Sequence, residues 1–421
     1  MKVLMYRYFF AYVMLAIGAT QLPAADWPQF RGPNGDGLSA ATNLPTKWDE
    51  KTNVAWKAAI PGRGWSSPSL YKNRIYLTSA VPVDAMSKDL SLRAICVDAE
   101  SGKLIWNQEV FSQPGDKSPR IHAKNSHASP TPLIEGDRVY VHFGHQGTAC
   151  LDLDGKIVWQ NRTIAYNPVH GNGGSPILVD GVLIFSCDGG SDPFVIGLVA
   201  STGKEKWRFE RKAESSKQFA FSTPTLITFA GQKQLISPGA GVTDALDPAT
   251  GRQLWHVRHG GYSVIPKPVF GHGMVFFSSG YDAPVVMAVR ADGAGDVTDT
   301  HVAWTLKKGG PHTPSMLLIG DELYMVADKT GVATCLDARS GDVQWSERLG
   351  GNYSSSPVFA DGKLYFQSEE GPAFVVKAGK TFEKISETGF PERTLASYAV
   401  GDSAVFIRTE QNLYRVENRQ P

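Results

Sequence analysis

An all-β propeller of eight four-stranded antiparallel blades is the fold this sequence predicts, and three observations predict it. One phrase recurs along most of the 421 residues. Its period lies in the middle forties, the size of one propeller blade. The count of its parts closes only if an N-terminal strand completes the last blade.

The first half of the phrase is Ser/Thr-Pro, an apolar residue, a Gly/Asp/Asn turn and an apolar pair. It stands at Ser67-Pro68, Thr131-Pro132, Ser175-Pro176, Thr223-Pro224, Lys267-Pro268, Thr313-Pro314 and Ser356-Pro357, with a degenerate eighth copy that puts Tyr398 in the proline slot. The spacings are 64, 44, 48, 44, 46, 43 and 41 residues. The second half is a strand–turn–strand unit, seen in Asp98…Gly102…Trp106, Asp247…Gly251…Trp255 and Asp337…Gly341…Trp345. Asp starts the turn, Gly supplies its positive φ, and the next strand carries a Trp for packing between blades. Trp56, Trp106, Trp159, Trp207, Trp255, Trp304 and Trp345 occupy this slot. Blade seven lacks its Trp, and Phe382 or Ile385 is the expected substitute.

Trp56 ends a strand that has no three strands before it. Residues 393–418 have room for three strands and no Trp strand after them. The N-terminal strand is therefore expected to pair near Tyr414-Arg415-Val416, which removes the open sheet edges. A seven-bladed ring with the last repeat as an appendage is the alternative.

Residues 50–421 form the propeller domain in this reading, and residues 26–49 an irregular leader lying across it. Residues 1–25 read as a Sec signal peptide. Lys2 and Arg7 make a basic start, Phe9 to Ala19 an apolar run, and Ala24 or Ala25 the cleavage site. That implies a periplasmic or secreted protein. No cysteine stands near the cleavage site for a lipid anchor, and no later stretch is long and apolar enough to span a membrane.

Lys and Arg number 42 and Asp and Glu 41, a net charge of +1. That balance argues against a nucleic-acid partner, which calls for a basic surplus. Cys96, Cys150 and Cys335 share one slot of the repeat with Ala245, each two residues before an Asp. Cysteine serves there as a small apolar side chain, so these thiols are expected to be buried and unpaired.

Strand A of each blade starts at the proline slot beside the central channel, and B, C and D follow outward. The loops before A and between B and C share one face, the top. The opposite face carries minimal hairpins such as Lys72-Asn73 and Asp180-Gly181. The top holds two insertions, Thr78–Leu90 and Phe111–Ser126, and most of the histidines. Trp65, His127, His170, Asn172, Tyr262, His312 and Tyr353 are expected to converge on the channel mouth and bind a small polar ligand or a loop of an envelope protein. His127, His170 and His312 lie in three blades with no spacing that enforces a metal site, and they read as hydrogen-bonding residues. Asp292, Asp296 and Asp299 lack the spacing and terminal Glu of an EF-hand loop and read as a solvated turn, with Ca²⁺ left open. Paired carboxylates, Asp188 with Asp192 or Asp282, leave a carbohydrate-active enzyme open. The chain contains no GxSxG, HExxH or P-loop motif.

The complete phrase at Ala245–Trp255 resembles the repeat of the quinoprotein (pyrroloquinoline quinone, PQQ) propellers and of their cofactor-free relatives. Those relatives include the propeller lipoprotein that helps assemble outer-membrane β-barrels. The resemblance covers roughly residues 53–418. The strings Asp26–Gly37 and Gly295–Trp304 resemble exported bacterial PQQ-like repeat proteins. It implies either a binding module of the cell envelope or a dehydrogenase using PQQ with Ca²⁺. The chain departs from the dehydrogenase pattern, because none of its four cysteines has a cysteine neighbour. The calcium ligands also have no clear counterpart, so the binding module is the expectation and no catalytic residue is assigned.

Overall fold

The computed structural model describes residues 26–84, 86–118, 120–212 and 215–419. The segment read as a signal peptide lies outside them. Eight antiparallel four-stranded sheets form a propeller ring, and two of them gain a short parallel fifth strand.

Blade one comprises Ser69–Tyr71, Arg74–Pro82, Leu90–Asp98 and Leu104–Gln113, and blade two Leu133–Glu135, Arg138–His142, Thr148–Asp152 and Ile157–Asn161. Blade three is Ile177–Val179, Val182–Cys187, Phe194–Val199 and Glu205–Glu210. Blade four is Thr225–Phe229, Gln232–Pro238, Val242–Leu246 and Gln253–Arg258. Blade five is Val269–Gly271, Met274–Ser278, Val286–Arg290 and Val302–Leu306, and blade six Leu317–Ile319, Glu322–Val326, Val332–Asp337 and Val343–Arg348. Blade seven is Val358–Ala360, Lys363–Gln367, Pro372–Lys377 and Lys384–Gly389. Blade eight takes Ala399–Val400, Ala404–Arg408 and Asn412–Glu417 from the C-terminus and Val54–Ala59 from the N-terminus. Trp56 pairs with Arg415 and Lys57 with Tyr414, so the ring closes as the repeat count requires.

The inner strands are covered on both faces and read as apolar runs, whereas outer strands alternate. Val182–Cys187 is buried throughout, while Glu205–Glu210 buries mainly Trp207. One rung explains the cysteine slot. Tyr76, Cys96 and Trp106 stand side by side on strands B, C and D, as do Tyr140, Cys150 and Trp159, and Tyr324, Cys335 and Trp345. A small residue on C lets the Trp tilt onto the Tyr, with ring centroids 6.0–6.2 Å apart. All four cysteines are free and buried, and burial pushes Cys96, Cys150 and Cys335 up to about 12.

Apart from Trp255, which donates to Gln234 Oε1 of its own blade, each Trp of this slot also docks onto the next blade. Trp106 Nε1 donates to Leu153 O at 2.9 Å and Trp304 Nε1 to Ala338 O at 2.9 Å. A Cβ at Gly155 or Gly341 would lie within 2.8 Å of those indoles. The turn glycine is thus required twice, for its positive φ and for the ring beside it.

Two expectations about the repeat need correction. In blade seven, Ser386 takes the Trp slot, and neither Phe382 nor Ile385 replaces the ring. Phe382 packs on Trp345, and Ile385 is exposed. The substitute is Trp48 of the leader, stacked on Tyr365 at 6.4 Å and 22°. It is held by its N–H donating to Thr388 Oγ1 and by its carbonyl accepting from Gly389 N. In blade six, the repeat slot is Ser315-Met316 rather than Thr313-Pro314, because strand A begins at Leu317.

The corrected register exposes a ring of hydroxyls around the channel. Ser67 N donates to Thr131 Oγ1, Thr131 N to Ser175 Oγ, and Ser175 N to Thr223 Oγ1. After a gap the pattern resumes from Lys267 N to Ser315 Oγ, then Ser356, Ser397 and back to Ser67. Lys267 breaks the ring because it carries no hydroxyl.

Lys267 instead holds the leader. Its Nζ donates to Gly35 O at 2.8 Å. The leader does not simply lie across the ring, as the sequence suggested. Trp27 bonds Leu70 of blade one in both directions, Pro28 O accepts from Ile134 N of blade two, and Leu38–Ser39 pairs in parallel with Phe359–Ala360 of blade seven. Buried Arg31 donates to Met316 O at 2.6 Å and to Pro357 O at 3.3 Å. The leader therefore plugs the channel from blades one and two to blades five, six and seven.

Burial, with Arg31 nearby, holds Lys267 down to about 7 against an ordinary 10.5. Between these values the unfolded chain binds a proton that the folded one does not, so this group makes stability rise with pH from about 7 to 10.5. Lys267→Met should flatten that slope, read as melting temperature across this range.

Candidate functional site

A cavity of about 470 Å³ opens at the top of the channel. All eight blades line it through the loops that lead into their A strands, and Phe30 of the leader reaches it from below. Aromatic rings form an arc around it. His122 meets His170 at 5.5 Å, His170 meets Phe219 at 5.4 Å, and Phe219 meets Tyr262 at 5.4 Å. Tyr262 continues to Tyr281 at 6.3 Å, and Tyr281 to His312 at 4.9 Å. Ser67, Thr131, Ser175 and Ser397 of the hydroxyl ring form the throat.

Of the seven residues singled out in the sequence, Trp65, His170 and Tyr262 line this cavity. The other four do not. His127 lies beside it with Nδ1 3.2 Å from Gln146 Oε1, and burial lowers its pKa. Asn172 Oδ1 accepts from Tyr166 O–H at 3.1 Å. His312 backs Tyr281, its N–H donating to Asp328 Oδ1 at 2.8 Å. Tyr353 is buried between blades six and seven, because its N–H donates to Asp328 O and turns the ring into the core. The strand period places all seven near the top but does not aim them.

Sequence reasoning missed Phe30, Lys124 and Lys217. Lys124 belongs to a strap, residues 120–126, that crosses the mouth. On one side, His122 N and Asn125 Nδ2 donate to His170 O of the loop before blade three. On the other, Lys124 Nζ donates to Glu369 Oε1 of blade seven at 2.6 Å, and Arg393 of the loop before blade eight donates to Ala123 O at 3.3 Å. The strap lies within the second insertion, Phe111–Ser126, and its far partners lie 245 and 270 residues away.

The lining contains no carboxylate. Asp188, a candidate for a catalytic pair, is buried away from the mouth with Arg211 Nε at 3.1 Å, and Asp244 joins the same guanidinium. Asp282 accepts from Tyr262 O–H at 3.2 Å on the rim. Asp296 caps Thr298 in its own turn and faces His256 and Arg258. Calcium with a quinone needs several oxygen ligands including carboxylates, and this donor set does not fit it. Among the described residues, no group of three or more His, Cys, Asp and Glu could hold a metal ion.

Ring, repeat and mouth together define a β-propeller with PQQ-like repeats. The family profile described as outer membrane protein assembly factor BamB matches residues 93–347 and 296–389, and the chain belongs to that family. The quinohemoprotein alcohol dehydrogenase ADH IIB of Pseudomonas putida is 26% identical over 298 residues, 67% of this chain. The match spans only 38% of that relative's length. Among solved structures, BamB from Moraxella catarrhalis superposes with a TM-score of 0.58 at 11% identity, over 86% of this chain and 99% of that one. The quinohemoprotein alcohol dehydrogenase from Comamonas testosteroni superposes with a TM-score of 0.67 at 13% identity, over 94% and 82%. These two likenesses show the fold. Among the described residues, no helix is long and apolar enough to cross a membrane.

Proposed function

We propose that the protein is a non-enzymatic binding module of the cell envelope that takes a small polar ligand into its top-face funnel. The observation that carries this reading is the cavity itself. It is concave, walled by aromatic rings in edge-to-face and tilted contact, floored by Phe30 and ringed at its throat by hydroxyls. A few fixed donors among apolar walls is the usual composition of a ligand site. The family's description and the basic, apolar and small-residue pattern of residues 1–25 support an envelope location. The missing carboxylates speak against the dehydrogenase reading.

The test is a thermal-shift and calorimetric screen of the purified protein against sugars, organic acids, amino acids and short peptides. A binder should lose about 5- to 150-fold in affinity when Phe221 or Trp65 becomes Ala, a cost of about 1–3 kcal/mol. The bottom-turn change Asp361→Ala should leave affinity unchanged. Equal losses from both faces would refute the funnel. Dye-linked alcohol oxidation appearing on addition of PQQ and Ca²⁺ would refute the non-enzymatic reading.

A further inference from the structure

We infer that the ligand of this funnel is a small organic anion, a carboxylate carried on a ring-shaped body, bound with its ring against the aromatic arc and its charge toward Lys217 and Lys124. The inference rests on the binding reading above and names the class of ligand.

The charge census carries it. Lys124 and Lys217 are the charged side chains in the cavity lining, and no Asp or Glu joins them. Lys217 Nζ meets a neutral group, the Tyr262 hydroxyl at 2.8 Å, and lies 4.1 Å from the Tyr262 ring centroid. Behind the wall, buried Arg408 donates to Ser66 O, Ser66 Oγ and Thr78 O, all neutral acceptors. Burial without a carboxylate holds its pKa down to about 9. Carboxylates meet these cations only from outside the cavity. Glu369, buried behind Ser354 of the lining, takes Lys124, and Asp282 reaches Lys217 through the Tyr262 hydroxyl. Lys124 and Lys217 are exposed at the concave mouth, where their like charge raises a positive potential that favours an anion and that salt screens. The rings of Trp65, Phe219, Phe221 and Tyr281 offer flat apolar contact to the rest of the molecule.

Lys124 gives the inference a directional consequence. Its ammonium is shared between the cavity and Glu369, which also accepts from Ser354 Oγ at 2.6 Å. An anion in the funnel competes with Glu369 for the same cation.

Two kinds of molecule carry such a carboxylate, acidic sugars and aromatic acids, and matched pairs distinguish them. The probes are digalacturonate with its dimethyl ester, and 2-naphthoate with 2-naphthamide, titrated calorimetrically into the purified full chain. In at least one pair the acid should bind at least about tenfold tighter than its neutral counterpart, and the advantage should shrink as salt rises. Lys217→Gln should weaken the acid about tenfold and leave the neutral partner within about twofold. Glu369→Gln, which keeps the acceptor for Ser354, should tighten the acid severalfold by freeing Lys124. A purely structural role for Glu369 would instead weaken acid and neutral partner alike. Equal binding within both pairs, equal loss of both members on Lys217→Gln, or no binding of any probe would overturn the inference. A neutral compound from the screen that binds with sensitivity to Phe221→Ala would then leave the binding reading standing. Failure of both the probes and the screen would remove both.

Discussion

Deleting Val54–Ala59 is expected to open the ring and lower the melting temperature by on the order of 10 °C or more. Blade eight would lose its outer strand, leaving the Asn412–Glu417 edge unpaired. It would also lose Trp56, whose ring packs 6.2 Å from Phe406 and whose Nε1 donates to Ala99 O of blade one at 3.1 Å. That indole covers Gly102, so its loss also bares the seam between the first and last blades. Differential scanning calorimetry of the truncated chain measures the drop, and size-exclusion chromatography should show aggregation through the freed edge. A melting temperature within a few degrees of the parent would mean that the closing strand is dispensable.

Trp48→Ala is expected to cost about 3–5 kcal/mol, the usual range for removing a large buried aromatic. Trp48 is 2% exposed and fills the blade-seven position that Ser386 leaves empty. Ile385→Ala is the control. Its side chain is exposed, and the change should stay within about 0.5 kcal/mol. Denaturant unfolding of both variants separates a leader that is part of the core from one that merely rests on it. The same logic extends to residues 26–45 of the leader. That stretch carries Trp27 and Arg31, both 1% exposed.

What could be read in advance was whatever repeats. The Trp and the turn glycine recur in most blades because the indole lies against the glycine of the next blade's turn, so Trp106 with Gly155 and Trp304 with Gly341 leave a periodic trace. Ring closure was legible for the same reason, since Trp56 is a Trp slot without its blade. The plug was not. Arg31 bonds carbonyls 285 and 326 residues away, and a carbonyl acceptor leaves no mark on residue type. Thr313-Pro314 misled because it copies the phrase two residues ahead of the true slot at Ser315. The site was half legible. Period and face put Trp65, His170 and Tyr262 at the mouth, but the same rules put Tyr353 there, and one backbone bond to Asp328 turned its ring inward. Phe30 and Lys124 arrive from segments outside the repeat, where no period speaks for them.

The plug has a consequence for traffic. A propeller channel open at both ends could serve as a conduit, with arrival and departure on opposite sides. Here Phe30 forms the bottom of the funnel and Arg31 is locked beneath the throat by carbonyls of two blades. The molecule is a cup. Under the binding function proposed above, a ligand would enter and leave by the same lip, past the strap that spans the rim. A chain-like guest could offer only its end, with the remainder trailing outside.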